Sequence, residues 1–411
     1  MSKAVTSKKQ STAIVNEKDL ERDKIMEATR VFIEKATGQK PLGSDIKTWP
    51  HIRSGALAVD DLIGGTPLAD GSGLVCPGFP KGRIVEIYGP ESSGKTTLAL
   101  AAIVQAQKAC EAVLFLDFEN SLHHGYAKAV GVDFDPRRLM YFAPSTFEEG
   151  LRMLYVAIKQ GVGLIVVDSV AAMVPATELE KKLGDAAAIG ALARAMSTNL
   201  PKMTQWLKPN KSALILINQV RATISTGGHG PGDDNTAGGK AVKFYASVRL
   251  KLTRIKSEFI ERPDPVTMRK KKMPFGNVVQ VKAVKNKMDG KQGHSGEIFI
   301  RYGYGVDEYL SVIQGAIPRK IVVQKGSAYE FAGENFKGRD RLRTYLVNNP
   351  AAFESMRERV TAAILSEAPK AVEGDVEDED ILSDMRHDIG DDDIIDSPGE
   401  ESALEEVIED P

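Results

Sequence analysis

Residues Gly89-Pro90-Glu91-Ser92-Ser93-Gly94-Lys95-Thr96 follow the spacing G-x-x-x-x-G-K-T. The glycines let a backbone curl until successive N–H groups point at a polyphosphate. Lys95 supplies a point charge to the β/γ-phosphates, and Thr96 offers a hydroxyl to Mg²⁺. Asp168 ends the apolar run Leu164-Ile165-Val166-Val167, the place from which a carboxylate holds the same Mg²⁺; an Asp capping a turn is the plainer alternative. Hydrolysis also needs a group that orients and deprotonates water. Glu119, just past Val113-Leu114-Phe115-Leu116, fits that need, and Asp117 is its nearest rival. Gln219, after Ala213–Ile217, could sense the γ-phosphate through its amide, or could simply serve a turn.

These groups need elements that bring them together. Arg83 to Tyr88 reads as a strand, and the Ala- and Leu-rich stretch from Thr97 to Gln107 as a helix. The loop thus opens a helix, whose partly positive N-terminus favours an anion. Further short buried strands are expected at 113–116, 139–142, 164–167 and 213–217, with a helix opened by a capping box of Ser145 and Glu148 and a long helix from about 188 to 207. Alternation of this kind predicts an α/β fold, a mostly parallel sheet with helices on both faces. Chemistry then belongs at the carboxyl ends of the strands. Strands near 246–253, 278–284 and 296–302 lack intervening helices and should extend the sheet in antiparallel fashion. Upstream, Ile25, Ala28 and Phe32 recur at helical spacing within a helix from about 17 to 36, part of an N-terminal arm over 1–53. The core is expected over 54–307, a small α/β C-terminal domain over 308–367, and an acidic, disordered tail over 368–411.

The charge balance is polarised. The net charge is −2, yet Glu373 to Asp410 holds 18 acidic residues and one basic, and the remaining chain carries +15. A basic body suits a polyanion; the tail either competes for that surface or merely solubilises the chain. No apolar run is long enough to span a bilayer, the start lacks a signal-peptide pattern, and Cys76 and Cys110 lack metal-ligand spacing. A cytoplasmic location with no membrane partner is the expectation. Two loops stand out: Glu178 to Gly190, and the long Gly-rich segment Arg221 to Lys240, which could order around a ligand when ATP is present. Arg269-Lys270-Lys271-Lys272 reads first as a solvated hairpin tip and second as a nucleic-acid contact. Lys285 and Lys287, taken alone, are edge-strand lysines.

Several separated segments together resemble the bacterial RecA recombinase family. They are Gly82 to Thr97, Val166-Val-Asp-Ser-Val-Ala-Ala172, Ile217-Asn-Gln219, Gly238-Gly239, Lys243 to Leu250, Val284-Lys-Asn-Lys287 and, ahead of the core, Ser54 to Asp60. The resemblance implies a RecA-like core that uses ATP and Mg²⁺. It implies a homo-oligomeric helical filament on single-stranded DNA that pairs with homologous duplex DNA and exchanges strands, served by single-strand-binding or loader proteins. By position it implies ATP contacts from Gly89 through Thr97 with Tyr126 and Tyr302 near the adenine. Glu119 would activate water, Gln219 would couple the γ-phosphate to the following loop, and Lys243 and Phe244 would lie at the protomer interface. Lys285 and Lys287 would reach the neighbouring subunit's γ-phosphate. Ile189, Gly190, Arg194, Arg221, Thr236, Gly238 and Gly239 would contact DNA. The chain departs from the family in a loop without aromatics after Gln219, in Ala186-Ala-Ala-Ile-Gly190, in a longer segment from Gly64 to Pro80, and in His123 where an acid is common. These departures suit a diverged member, cellular or viral. A ring helicase and a DNA-binding regulator without hydrolysis are the competing readings; the late lysines oppose the first, and intact Lys95, Thr96, Glu119 and Asp168 oppose the second.

Overall fold

A sheet of alternating apolar strands organises the chain. Its strands are β1 (Arg83–Gly89), β2 (Val113–Asp117), β3 (Leu139–Phe142), β4 (Leu164–Asp168), β5 (Ala213–Arg221), β6 (Val248–Pro263), β7 (Lys270–Asn286), β8 (Ser295–Arg301) and β9 (Gly305–Val306). The computed structural model describes residues 17–37, 48–65, 68, 74–180, 190–210, 212–221, 235–263, 270–288 and 290–366. The acidic tail, Ile189, Arg269 and most of the Gly-rich loop lie outside the described residues, as do the side chains of Arg221 and Arg262.

The strand order is β9-β8-β7-β6-β1-β5-β4-β2-β3. Strands β3, β2, β4, β5, β1 and β6 run parallel, and β6 through β9 pair antiparallel. Successive residues of a strand point to opposite faces, and here each face meets its own core. Val85, Ile87, Val113, Phe115, Val166 and Ile215 share one cluster with α2 (Lys95–Lys108), through Leu98, Leu100 and Ile103. Ile84, Leu114, Leu116, Val167 and Leu216 share the other with α3 (Phe147–Lys159) and α4 (Ala191–Asn210), through Leu154, Ile158, Met196 and Leu200. Each such side chain taken wholly from water contributes about 1.5–3 kcal/mol before conformational entropy is charged.

Three features depart from the sequence-based expectation. The cap of α3 is shifted by one residue: Thr146 accepts from Glu149 N–H at 3.1 Å, and the Glu149 carboxylate takes Ser145 N–H at 2.7 Å. Glu148 instead accepts from Ala176 N–H at 2.9 Å. Strands β6 and β7 are about twice the expected length and form one ribbon, with Lys270 opposite Pro263. The outer residues Lys270, Lys271 and Lys272 are exposed, so no apolar alternation marks that end. Finally, β5 continues through Gln219 to Arg221, where Val220 pairs with Thr236.

The described residues open with α1 (Glu17–Thr37), whose Ile25, Met26 and Phe32 are exposed. Beyond the sheet, α6 (Glu308–Ala316), a three-stranded antiparallel sheet over 323–337, α7 (Arg339–Asn348) and α8 (Pro350–Ser366) complete the described residues. Their core includes Leu310, Ile313, Leu342, Met356 and Val360, and it also takes Val278 and Phe299 from the large sheet. Asp307 joins the two. Its buried carboxylate caps α6 at Leu310 N–H and receives Arg343 Nε at 2.5 Å and Arg301 Nη1 at 3.2 Å. Asp307→Ala removes the cap and strands two partly buried guanidinium groups. A loss of about 3–5 kcal/mol is expected; an unfolding free energy in denaturant within 1 kcal/mol of the parent, roughly the scale of one ordinary hydrogen bond, would refute that account.

Candidate nucleotide and nucleic-acid site

The parallel register sets the site. Asp117 pairs with Asp168, and Gly89 with Gln219, so the carboxyl ends of β2, β4, β1 and β5 form one edge. The phosphate loop leaves β1 at that edge and enters α2. Gly94 sits at φ +92°, and a Cβ there would lie 2.2 Å from Ile300 Cδ1, so both conformation and space demand glycine. No side chain caps α2, which leaves its first N–H groups available to an anion.

Lys95 is buried, and its ammonium donates to the carbonyls of Pro90 at 2.8 Å and Gly89 at 3.3 Å. Burial lowers its pKa, opposed by the charges of Asp168, Glu119 and Glu91. Thr96 Oγ1 donates to Asp168 Oδ2 at 2.6 Å, which joins the two groups suited to Mg²⁺. Burial pushes the Asp168 carboxyl up to about 6; Thr96 lowers it, and the nearby charges of Glu119 and Asp117 raise it. A divalent cation would relieve that crowding, so the residues present fit Mg²⁺. Among the described residues no group of three or more His, Cys, Asp or Glu could hold a metal by itself. Mg²⁺ needs none when phosphates complete its shell.

The geometry separates Glu119 from its rival. Asp117 is buried and already occupied: Tyr141 Oη donates to it at 2.9 Å, Leu122 N–H at 3.1 Å and Ser121 N–H at 3.4 Å. Glu119 is exposed, and its Oε1 accepts from Ser169 Oγ at 2.5 Å and from Gln219 Nε2 at 3.1 Å. The candidate base and the candidate sensor therefore meet at one oxygen of Glu119. Ser169 was not singled out by sequence reasoning, although its place directly after Asp168 is a signal. His123 was noted for replacing an acid, not for what it does: its Nδ1 accepts from Tyr126 N–H at 3.0 Å and caps the helix His124–Val130. Tyr126 in turn meets Thr97 Oγ1 at 2.9 Å, and burial raises its pKa. Tyr302 is half exposed, with its hydroxyl on Asn277 Oδ1 at 3.2 Å. It lines a cavity of about 500 Å³ with Phe275, Arg301, Tyr304 and Arg343.

Four of the seven residues expected at DNA meet in one place. Gly190, Thr236, Gly238 and Gly239 line a cavity of about 420 Å³ together with Met173 and Glu178. Arg194 is exposed in the first turn of α4. From Gly239 the chain enters α5 (Gly239–Tyr245). At the far end of α5, Lys285 Nζ donates to the carbonyls of Lys243 at 2.7 Å and Phe244 at 2.8 Å. Phe244 is exposed, and the Lys287 ammonium lies 5.9 Å from its ring centre. Burial draws Lys285 down to about 8, and the charges of Lys287 and Arg249 add to that.

The family model described as the RecA N-terminal domain matches residues 32–307. A curated relative, Protein RecA of Clavibacter michiganensis subsp. michiganensis, is 37% identical over 359 residues, 86% of this chain and 92% of the relative. Protein RecA of Bifidobacterium breve is 38% identical over 86% of this chain and 84% of its own length. Protein RecA of Lactobacillus delbrueckii subsp. bulgaricus is 36% identical over 83% and 96%. Among solved structures, a RadB recombinase aligns with 62% of this chain and 98% of its own, at 21% identity and a TM-score of 0.42.

Proposed function

The chain belongs to the RecA family of ATP-dependent DNA recombinases, and on that premise we propose that it polymerises on single-stranded DNA as an ATP-bound helical filament, pairs that strand with homologous duplex and exchanges strands. It is a DNA-dependent ATPase of recombination and repair. In our reading 1–53 is the polymerisation arm, 54–307 the ATPase core, 308–367 a small C-terminal domain and 368–411 the acidic tail. No helix among the described residues is long and apolar enough to cross a membrane.

The observation that carries the mechanism is the oxygen shared by Ser169, Gln219 and Glu119. The backbone N–H groups of Glu91 to Thr96 and the Lys95 ammonium bind the triphosphate, with Thr97, Tyr126 and Tyr302 towards the nucleoside. Thr96 and Asp168 would hold Mg²⁺, which would supply positive charge to offset that of the phosphates. Glu119 takes a proton from the attacking water. Gln219, drawn to the γ-phosphate, releases Glu119 and pulls on the strand that leads into the DNA loop. Gly190, Arg194, Arg221, Thr236, Gly238 and Gly239 then bear on the strand, with Ile189. Hydrolysis removes the pull. Electron microscopy on single-stranded DNA with a non-hydrolysable ATP analogue should show helical filaments, and a strand-exchange assay should yield joint molecules; closed rings without exchange would favour a helicase.

The acidic tail gives a separate expectation. Deleting residues 373–411 removes 17 net negative charges from a body carrying +15. Duplex DNA should then bind more tightly and with a steeper salt dependence, since each phosphate contact adds about 0.9 to the log–log slope. An unchanged affinity and slope would leave the tail as a solubilising extension.

A further inference from the structure

Glu86 is the one carboxylate within the apolar strand β1, and it is fully buried. Arg249 Nε donates to its Oε2 at 2.5 Å, and Asn218 Nδ2 donates to its Oε1 at 3.0 Å. Asn218, also fully buried, has a second donor bond, to the carbonyl of Ala237 at 2.9 Å. Its own carbonyl accepts the N–H of Gln219 at 2.9 Å. Every polar atom of the Asn218 amide is thus used, by three partners in three different segments.

The places of those partners matter. Gln219 holds the carboxylate that would act as the base. Ala237 is where the chain returns from the Gly-rich loop, between Thr236, paired with Val220, and Gly238. Gly238 sits at φ +83°, and a Cβ there would lie 2.8 Å from Val242, so the turn into α5 is fixed. Asn218 therefore ties the outgoing strand to the returning one at the throat of the loop. A carboxylate is a costly way to fill a strand interior, and apolar packing would be as stable or more so. What the carboxylate supplies is direction: it fixes the Asn218 amide so that its other hydrogen meets Ala237.

We propose that Asn218, aimed by Glu86, is a positioning residue that holds Gln219 in register with the throat of the DNA loop, so that the effect of DNA on ATP hydrolysis passes through this side chain. The proposal rests on the reading that Gln219 senses the nucleotide and that the loop after it binds DNA. Nothing in it requires a change in nucleotide affinity, because the hydrogen bonds of the Asn218 side chain go to Glu86, Ala237 and Gln219 rather than to the phosphate loop or Thr96.

The test uses the full chain with Asn218→Ala, and with Asn218→Asp, which keeps the volume and the acceptor for Gln219 N–H but loses the amide donors. ATP turnover is measured with and without single-stranded DNA, alongside affinity for a fluorescent ATP analogue and a thermal melt. DNA stimulation should fall about tenfold, within the usual range of coupling between sites, while nucleotide affinity stays within about threefold, less than one hydrogen bond is ordinarily worth. A merely structural role would lower the melt, the affinity and both rates together. Full stimulation in either folded variant overturns the proposal, and so does failure of both to fold, which would make Asn218 a stability residue. Gln219→Ala is the control: should it retain full stimulation, the underlying reading falls instead.

Discussion

Glu119→Gln is expected to reduce DNA-stimulated ATP turnover by about 10²–10⁴-fold, the span general-base catalysis commonly covers, while ATP and single-stranded DNA still bind. The substitution preserves shape and removes the negative charge and, with it, the ability to take a proton. The Lys95 ammonium and the loop N–H groups, which hold the phosphates, are untouched, and Thr96 still bonds Asp168. A negative charge that raises the Asp168 pKa also disappears, so the carboxylate on the metal side should ionise more readily. The measurement is single-turnover hydrolysis with saturating DNA, beside filament formation scored on the same sample. Turnover within threefold of the parent would move the base elsewhere, a change far smaller than removal of a working base produces. Asp117 is then the group to examine, despite its bonds from Tyr141, Leu122 and Ser121.

That contrast shows what the sequence could and could not disclose. The phosphate loop, Asp168 and Gln219 were legible because each lies at a fixed offset from an apolar strand, and strand ends in a parallel sheet share one edge. Sequence preferred Glu119 to Asp117 by position alone; what occupies Asp117 was not legible, since it includes a hydroxyl from β3, 24 residues away in sequence. The outer ribbon of β6 and β7 was missed for a related reason. Its exposed residues bury nothing, so no period-2 pattern marks them, and Pro274 sits within the run. Glu86 did leave a trace, as a lone acid among Ile, Val and Tyr in β1. Its partners, however, lie 132 and 163 residues away. Local propensity reads elements well; it cannot read which buried charge answers which.

The family resemblance implies that Lys285 reaches across a seam between protomers, and the two halves of that seam can be tested against each other. Lys285→Ala is expected to lower turnover by about 10³–10⁵-fold, the effect of removing a cation supplied in trans to a γ-phosphate. In the single chain Lys285 rests on the carbonyls that end α5 and is drawn down to about 8 by burial, then by Lys287 and Arg249. For an isolated protomer the lowered pKa penalises the charged form, so its contribution to folding stability grows as pH rises from about 8 toward 10.5. Assembly should run the opposite way. A neighbour's γ-phosphate favours the ammonium, so filament formation takes up protons near pH 8 and weakens above it, and Lys285→Arg should flatten that dependence. The decisive experiment mixes two inactive proteins. A Lys285→Ala protomer keeps its own phosphate loop and Glu119; a Glu119→Gln protomer keeps its lysine. In a head-to-tail polymer of equal parts, about a quarter of the seams pair a sound loop with a sound lysine. Turnover should therefore return to about that fraction of the parent rate, and only if the lysine acts across the seam. A lysine acting on its own protomer's nucleotide leaves the mixture as inactive as its components, and that single result would dismantle the assignment of Lys285 while leaving Glu119 in place.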